Sequence, residues 1–258
     1  MPSSLGAHAA RVGAARDLLA VKGRREQQRF AFEGPTLLAE ALRSGTAVQE
    51  IFLTKALEGN ADVAEMERRG TAVYLVDDRT AAKLSDLEAP AGLVAVAPIV
   101  DRPLGTLLKD AMLAIVLADL NDPGNAGTLL RAAEAFGAQA AVFGDAGVDP
   151  YHPKVVRAAM GTIFRLPVAV ADPAQLARAA RAAGLTVAGL DRSGEPLVDE
   201  SWARPTLLLV GHERRGLGRW ESICGRLLAI PMRGPTESLN AAVAGSIALY
   251  EAGKRCRG

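Results

Sequence analysis

The chain has 258 residues and a formal net charge of +1, so its overall charge indicates no preference for a polyanionic partner. Its longest apolar runs have the length of a strand, which argues against a membrane span, and its two cysteines, Cys224 and Cys256, are too few for a disulfide framework or a zinc quartet. With 49% hydrophobic residues, few of them aromatic, the chain is expected to form close-packed α/β layers in a cytoplasmic protein.

The first hundred residues alternate between predicted helices and strands. The apolar spacing predicts helices over residues 9–21, 36–43, 56–69 and 78–84, and strands over residues 30–33, 48–54, 71–76 and 92–100. This alternation predicts a small α/β sandwich. Proline and glycine interrupt the pattern after Val100, which places a domain boundary near residue 105.

The first predicted helix and the turn after it carry a local excess of positive charge. The basic residues are Arg11, Arg16, Lys22, Arg24, Arg25 and Arg29. Only Asp17 and Glu26 offset them within this span. A run of this kind is most often a solvated helix face, and the alternative is a contact surface for nucleic acid.

The remaining residues predict a second α/β unit. Strands are predicted over residues 112–120, 140–144, 166–171, 185–190, 206–211 and 227–231, and helices over 128–136, 153–160, 173–183 and after residue 240. The strands are almost entirely apolar, as is typical of parallel strands that are buried on both faces.

Polar side chains follow three of these strands. Asn125 and Arg131 follow the first, with Asn125 a candidate helix cap and Arg131 expected to face the same corner. A glycine and a charged run follow the fifth, and a cluster containing Thr236, Glu237 and Ser238 follows the sixth. Each could be only a cap or a surface ion pair. However, the carboxyl ends of strands in an open α/β sheet are where ligands bind.

Several common sites are missing from the sequence. It contains no glycine-rich dinucleotide fingerprint, no phosphate-binding loop ending in Lys-Ser or Lys-Thr, and no Gly-x-Ser-x-Gly elbow. The three histidines, His8, His152 and His212, share no metal-ligand spacing, and we predict no metal site.

Taken in order, the three polar segments that follow these strands resemble the motifs of the SpoU/TrmH-type RNA 2′-O-methyltransferases of the SPOUT class. The matching segments are Asn121-Asp-Pro-Gly-Asn125 with Arg131, Gly211-x-Glu-x-x-Gly-Leu217, and Ile230-Pro-Met-x-Gly-x-x-x-Ser-Leu-Asn240. Phe32-Glu-Gly-Pro35 resembles the start of the ribosomal-protein-like domain that often precedes this catalytic domain. Two positions depart from the pattern: Arg214 stands where many relatives carry a small residue, and Ala241-Ala242 replaces a more usual Val-Ser or Val-Ala.

The resemblance implies a fold and a cofactor. The expected architecture is a small N-terminal α/β/α sandwich for RNA binding, residues 1–105, and a mostly parallel α/β SPOUT domain with a C-terminal trefoil knot, residues 106–258. The second domain is expected to bind S-adenosylmethionine and to pair with a second copy. The implied cofactor-binding residues are Leu190, Gly211, Ile230, Met232 and Leu239.

The resemblance also implies a methyl transfer to a ribose 2′-hydroxyl. Arg131 is the central group of the implied catalytic set, together with Asn125, Glu213, Ser238 and Asn240. Because arginine stays protonated in proteins, we interpret Arg131 as a phosphate-binding and alkoxide-stabilising group rather than a general base. The basic run and two residues of a further matching segment, Lys154 and Arg157, are the expected RNA contacts.

The extra N-terminal domain favours 23S ribosomal RNA over transfer RNA as the substrate. Transfer RNA methylation remains open as an alternative, as does a non-catalytic RNA-binding or ribosome-assembly protein in which the pocket is a relic. A nucleotide-binding enzyme for a small molecule is disfavoured because the glycine fingerprint is missing.

Overall fold

A computed structural model of the chain describes residues 3–100, 102–199, 202, 205–212, 214–234 and 238–255. The chain divides into two compact units. Unit 1 consists of Met1–Val100 and Tyr151–Arg165, and unit 2 of Asp101–Pro150 and Leu166–Gly258. The first change of unit lies close to the predicted boundary. The segment Tyr151–Arg165, which the prediction included in the second domain, instead packs within unit 1.

The described residues form eleven strands and ten α-helices. The strands are β1 Ser3–Ser4, β2 Arg29–Glu33, β3 Glu50–Leu53, β4 Ala72–Leu75, β5 Leu93–Pro98, β6 Leu113–Leu117, β7 Ala140–Gly144, β8 Val168–Ala171, β9 Thr186–Pro196, β10 Thr206–Val210 and β11 Arg226–Ala229. The helices are α1 Ala10–Asp17, α2 Val21–Gln27, α3 Pro35–Arg43, α4 Ala61–Arg68, α5 Asp78–Lys83, α6 Leu104–Leu108, α7 Pro123–Ala135, α8 Pro153–Ala158, α9 Pro173–Ala182 and α10 Ala241–Arg255.

Unit 1 is built on a five-stranded mixed sheet in the order β1-β4-β3-β5-β2. Strands β1, β3 and β4 are parallel to one another, and β5 runs antiparallel to both β2 and β3. Val12, Leu18, Phe52 and Leu84 belong to one buried apolar cluster, through which α1 and the end of α5 contact the sheet. The predicted small α/β sandwich is therefore present.

The helix predicted over residues 9–21 is wrong in its extent. Helix α1 ends at Asp17, and the basic residues that were expected to form its end and turn lie in a separate helix, α2. A Cβ atom built on Gly23 would lie 2.1 Å from the carbonyl oxygen of Asp17. Only glycine therefore allows α2 to fold back so closely on the end of α1.

The later segment of unit 1 packs against the edge strand β2. The ring centroids of Phe30 and Tyr151 are 4.7 Å apart, and those of Phe32 and Phe164 are 4.9 Å apart. Helix α8 also contacts β2. This aromatic packing explains why Tyr151–Arg165 groups with unit 1, although the chain on both sides of it belongs to unit 2.

Unit 2 is built on a six-stranded sheet in the order β11-β9-β10-β6-β7-β8, and all of its strand pairs are parallel. This confirms the predicted α/β fold with a mostly parallel sheet. Helix α10 packs against α7 and β10. A Cβ atom at Gly245 would lie 2.4 Å from Cδ2 of Leu129, so a small residue is needed where these helices cross. The trefoil knot stays a prediction.

Two element predictions in unit 2 are wrong in their extent. Helix α7 begins at Pro123 rather than at residue 128, and β9 continues to Pro196 rather than ending at residue 190. The short helix α6 was not predicted. Across the part of the chain that the structure describes, no helix is long and apolar enough to span a bilayer.

Candidate active site

A large cavity of unit 2, with a volume of about 840 Å³, lies at the carboxyl ends of β10 and β11 and beside residues 190–193 of β9. Parallel strands end at the same edge of a sheet, so segments that are distant in sequence meet there. All five residues predicted to bind the cofactor line this cavity: Leu190, Gly211, Ile230, Met232 and Leu239. Ser238 of the predicted catalytic set lines it as well.

One wall of the cavity is a tight loop after β10. We call residues 212–216 the strap; its residue 213 lies outside the described residues. The backbone N–H of His212 donates to the carbonyl oxygen of Gly216 at 2.9 Å, and that of Gly216 donates back at 2.8 Å. A Cβ atom at Gly211 would lie 2.3 Å from the Gly216 oxygen. Glycine at position 211 thus allows the strap to fold back on the strand end.

Charged side chains at the opening of the cavity come from β9 and the strap. Asp191, Arg192 and Arg214 line the cavity together with His212. Oδ1 of Asp191 accepts hydrogen bonds from the backbone N–H of Ser193 at 2.9 Å and from its hydroxyl at 2.7 Å. These bonds hold the pKa of the Asp191 carboxyl below its usual value, so this side chain is an anion at neutral pH.

The first and third motifs meet through two asparagine side chains. Nδ2 of Asn240 donates to Oδ1 of Asn125 at 3.0 Å. Oδ1 of Asn240 accepts from the N–H groups of Ala242 at 2.9 Å and Val243 at 3.2 Å, and so caps the start of α10. The contact places two members of the predicted catalytic set side by side.

Asn125 was predicted as a possible cap of α7, and this prediction is wrong. The N-cap is Asp122, whose Oδ1 accepts from the backbone N–H of Asn125 at 2.7 Å. Pro123 occupies the first helical position, where a missing N–H costs nothing. The Asn125 side chain is thereby left to contact Asn240.

Arg131 lies farther along its helix than expected and does not line the cavity. It is the ninth residue of α7, about 12 Å along the axis from the start of the helix. It is exposed and is not among the described residues that line the cavity. The difference follows from the earlier start of α7, which puts Arg131 more than two turns into the helix. Its catalytic role therefore stays a prediction.

Three residues of the predicted motifs lie outside the described residues: Glu213, Thr236 and Glu237. Cys256 does too, whereas Cys224 is a free, partly buried thiol. Burial, together with the Glu221 charge, raises the pKa of Cys224 to about 11, so it is a poor nucleophile. The described part of the chain contains no group of three or more His, Cys, Asp or Glu side chains that could hold a metal ion.

A second cavity of about 350 Å³ also borders the strap. His212 and Gly216 line both cavities, and Asp119, Arg215 and Arg219 line the second one. We call the Arg219 side chain and its two carboxylate partners the clamp. Nε and one terminal nitrogen of Arg219 donate to the two carboxylate oxygens of Asp119 at 2.7 and 2.9 Å, and the same terminal nitrogen contacts Asp145.

The clamp ties the loops after β6 and β7 to the segment that follows the strap. Asp119 has a left-handed backbone with φ of 52°, and Gly144 has no room for a Cβ atom because Oδ1 of Asp119 would lie 2.3 Å away. Sequence reasoning missed this cluster, because Asp119 and Arg219 are 100 positions apart in the chain. No local motif indicates that they pair.

The structure contradicts the predicted RNA contact at Arg24. This side chain is only 2% exposed, and NH1 donates to the carbonyl oxygens of Leu18 at 2.7 Å and Leu19 at 3.0 Å. These charge-assisted hydrogen bonds satisfy carbonyl groups just after the end of helix α1. In this conformation Arg24 stabilises the fold and is not available to a phosphate.

Three further predicted RNA contacts are engaged in ion pairs. Arg11 and Arg29 donate to the two carboxylate oxygens of the buried Glu50 at 2.6 and 3.0 Å. Arg157 forms a two-pronged pair with Asp86, at 2.5 and 3.1 Å. The exposed predicted contacts outside these pairs are Arg16, Lys22, Arg25 and Lys154, of which Lys22 lies 3.8 Å from Glu26.

Two family models match the chain. One described as the SpoU rRNA Methylase family covers residues 112–250, and one described as the MRM3-like substrate binding domain covers residues 10–95. Together they cover most of both units.

Curated relatives include two enzymes named for 23S ribosomal RNA. The chain is 30% identical to the 23S rRNA (guanosine(2553)-2'-O)-methyltransferase RlmP of Bacillus subtilis, over 89% of this chain and 90% of that protein. It is 37% identical to the 23S rRNA (uridine(2479)-2'-O)-methyltransferase of Streptomyces viridochromogenes, over 64% of this chain and 61% of that protein. The second match thus spans less than two thirds of the relative.

Solved structures match the whole chain. An AdoMet-bound rRNA methyltransferase from Sinorhizobium meliloti has a TM-score of 0.87 and 28% identity, and the match covers 99% of each chain. The SpoU methyltransferase AviRb from Streptomyces viridochromogenes, in complex with the cofactor AdoMet, has a TM-score of 0.86 and 29% identity, covering 97% of this chain and 100% of that one.

Proposed function

The chain belongs to the SpoU rRNA methylase family, and we propose from this premise that it methylates a ribose 2′-hydroxyl of structured 23S ribosomal RNA. S-adenosylmethionine is the methyl donor. The observation that carries the proposal is the large cavity, whose lining includes all five residues to which the motifs assign cofactor binding.

The side chains of the large cavity fit this cofactor. Leu190, Ile230 and Leu239 offer apolar surface to an adenine ring. Gly211 and Ile230 follow the last paired residues of β10 and β11, and Leu190 follows Gly189, the last residue of β9 that pairs with β10, so their backbone N–H and C=O groups are not all used by the sheet. A cavity of about 840 Å³ is also within the range that encloses a ligand of this size.

When bound, S-adenosylmethionine supplies a sulfonium methyl group that a 2′-oxygen can attack. We assign the paired amide groups of Asn125 and Asn240, together with Ser238 of the cavity lining, to orienting the ribose. Arg131 binds the phosphate beside the target ribose and stabilises the negative charge that develops on the 2′-oxygen. It cannot serve as a proton acceptor, because its guanidinium stays protonated. Glu213 is the remaining member of the proposed catalytic set.

We also propose that two copies of the chain pair through α10, in the knotted region that the family resemblance implies. Val243, Ile247 and Tyr250 are 48%, 37% and 49% exposed and lie along one face of this helix at helical spacing. An apolar stripe of this kind is a common interface between subunits. Light scattering of wild type and of Ile247→Glu tests the proposal, since loss of the stripe should yield monomers.

In unit 1, we propose that the exposed cations bind RNA phosphates. Arg16, Lys22, Arg25 and Lys154 supply charge and give no sequence discrimination. A cytoplasmic location is proposed, because the substrate is a ribosomal RNA.

The function is tested by incubating the full chain with S-adenosylmethionine labelled in its methyl group. Substrates are 23S ribosomal RNA and, in parallel, total transfer RNA. Label on the ribose of a single 23S nucleotide is the expected result, and S-adenosylhomocysteine should inhibit it. Label on transfer RNA alone would assign the alternative substrate. No label on either RNA, with the cofactor still bound, would indicate a non-catalytic RNA-binding protein.

A further inference from the structure

Two consecutive arginines of the strap belong to different cavities. Arg214 lines the large cavity that we assign to the cofactor. Arg215 lines the second cavity, together with Asp119 and Arg219. Both side chains are exposed, and among the described residues neither guanidinium has a hydrogen bond or ion-pair partner. Adjacent cations are therefore presented to two separate binding spaces.

The backbone of the strap keeps Arg214 and Arg215 in different cavities. The mutual N–H to carbonyl bonds of His212 and Gly216 close the loop at its base. The backbone N–H of Arg214 donates to Nδ1 of His212 at 3.1 Å, which adds a constraint nearer the tip. Because the backbone is held at the base of the strap and again at Arg214, the side chains of Arg214 and Arg215 leave it in different directions. The two arginines are therefore not interchangeable.

The large cavity calls for an anion-binding group. S-adenosylmethionine carries a carboxylate at its methionyl end, and a guanidinium is the side chain best shaped to bind one. The ionisable groups that line this cavity are Asp191, Arg192, His212 and Arg214. Oδ1 of Asp191 is held by Ser193, and this carboxylate cannot bind another. Arg214 is the cation there that has no partner among the described residues.

The second cavity differs in how its charges are paired. Asp119 and Asp145 are both bound to Arg219, so the charge of that arginine is already used within the clamp. His212 and Arg215 are the other ionisable groups that line the space. Arg215 is consequently the cation that can bind an incoming anion. The proposed substrate brings such anions, because a phosphate joins each ribose of an RNA chain to the next.

We propose that Arg214 binds the methionyl carboxylate of the cofactor, whereas Arg215 binds an RNA phosphate next to the methylated nucleotide. The strap thus holds both substrates, one on each side. This inference rests on the proposed function and assigns two of its ligands to individual residues.

The test compares the matched variants Arg214→Gln and Arg215→Gln of the full chain. Calorimetry measures binding of S-adenosylmethionine and of 5′-methylthioadenosine, which lacks the methionyl carboxylate. Arg214→Gln should weaken S-adenosylmethionine about tenfold, the loss expected for one charge-assisted contact, and should leave 5′-methylthioadenosine unchanged. Arg215→Gln should leave both affinities unchanged.

The second arm measures binding of a 23S ribosomal RNA transcript as a function of KCl concentration. Arg215→Gln should lower the slope of log K against log salt by about one, since one phosphate contact is lost. Arg214→Gln should keep the wild-type slope. The assignment of Arg214 to the cofactor and Arg215 to RNA would be overturned if both variants changed binding of either ligand equally. It would also be overturned if both variants bound both ligands as the wild type does. A wild-type chain that binds neither ligand would instead refute the proposed function.

Discussion

Positive charge has opposite uses in two regions of the molecule. In helices α1 and α2 and the start of β2, three of the five predicted RNA-binding arginines stabilise the fold: Arg24 is buried against carbonyl oxygens, and Arg11 and Arg29 hold Glu50. At the functional edge of unit 2, Arg214 and Arg215 are exposed without a partner among the described residues. A count of basic residues therefore does not indicate which of them can bind RNA, because burial and pairing decide that.

The largest expected effect is on Arg131, a further exposed arginine of unit 2. Arg131→Ala should lower the turnover rate by about two to three orders of magnitude, the usual cost of removing a group that stabilises developing charge. Cofactor affinity should stay within a few-fold, because Arg131 does not line the cavity. Single-turnover methyl transfer and calorimetry check the two parts.

Arg178→Ala is the matched control for this experiment. Arg178 is also an exposed arginine on a helix of unit 2, and its removal should change neither measurement. Substantial activity in the Arg131 variant would remove Arg131 from the proposed mechanism.

The next effect is on stability and concerns Arg24. Arg24→Met leaves the carbonyl oxygens of Leu18 and Leu19 without their charged donor, so the free energy of unfolding should fall by about 2 to 3 kcal/mol. Urea denaturation measures this loss. Arg25→Met, at the exposed neighbouring position, should change stability by less than about 0.5 kcal/mol. If the two variants proved equally stable, the contrast between structural and available arginines would fail in this region.

The smallest expected effect is on RNA affinity. The double variant Arg16→Gln/Arg25→Gln removes two exposed cations and should lower the salt slope of RNA binding by about two, with a several-fold loss of affinity. Filter binding over a KCl series measures both quantities. Arg29→Gln is the control, because this arginine is paired with Glu50 and should leave the slope unchanged. An equal loss in the control would indicate that Arg29 leaves its partner when RNA binds.

Burial and pairing also decide which features the sequence could predict. Apolar runs correctly indicated the strands of the parallel sheet, because strands buried on both faces must be apolar. The family motifs correctly indicated residues that line one cavity, since the carboxyl ends of parallel strands share an edge. The burial of Arg24 could not be predicted, because it depends on how closely α2 approaches α1 at Gly23.

The start of α7 has a local sequence signal. Asp122 followed by Pro123 is a typical N-cap and first helical residue, and it competes with Asn125 as the helix start. A start at Asn125 therefore misplaces Arg131 by three residues, a little under one helical turn. The pairing of Asp119 with Arg219 had no such signal, because only the assembled sheet brings these side chains together.

The grouping of Tyr151–Arg165 with unit 1 has a consequence for synthesis of the chain. A nascent chain that has released only residues 1–100 lacks Tyr151 and Phe164, the aromatic partners of Phe30 and Phe32. Unit 1 can therefore reach its final packing only after the first two strands of the unit 2 sheet, β6 and β7, have been translated. The order of translation and the order of folding differ, and a fragment ending at Val100 should be less stable than the same residues in the full chain.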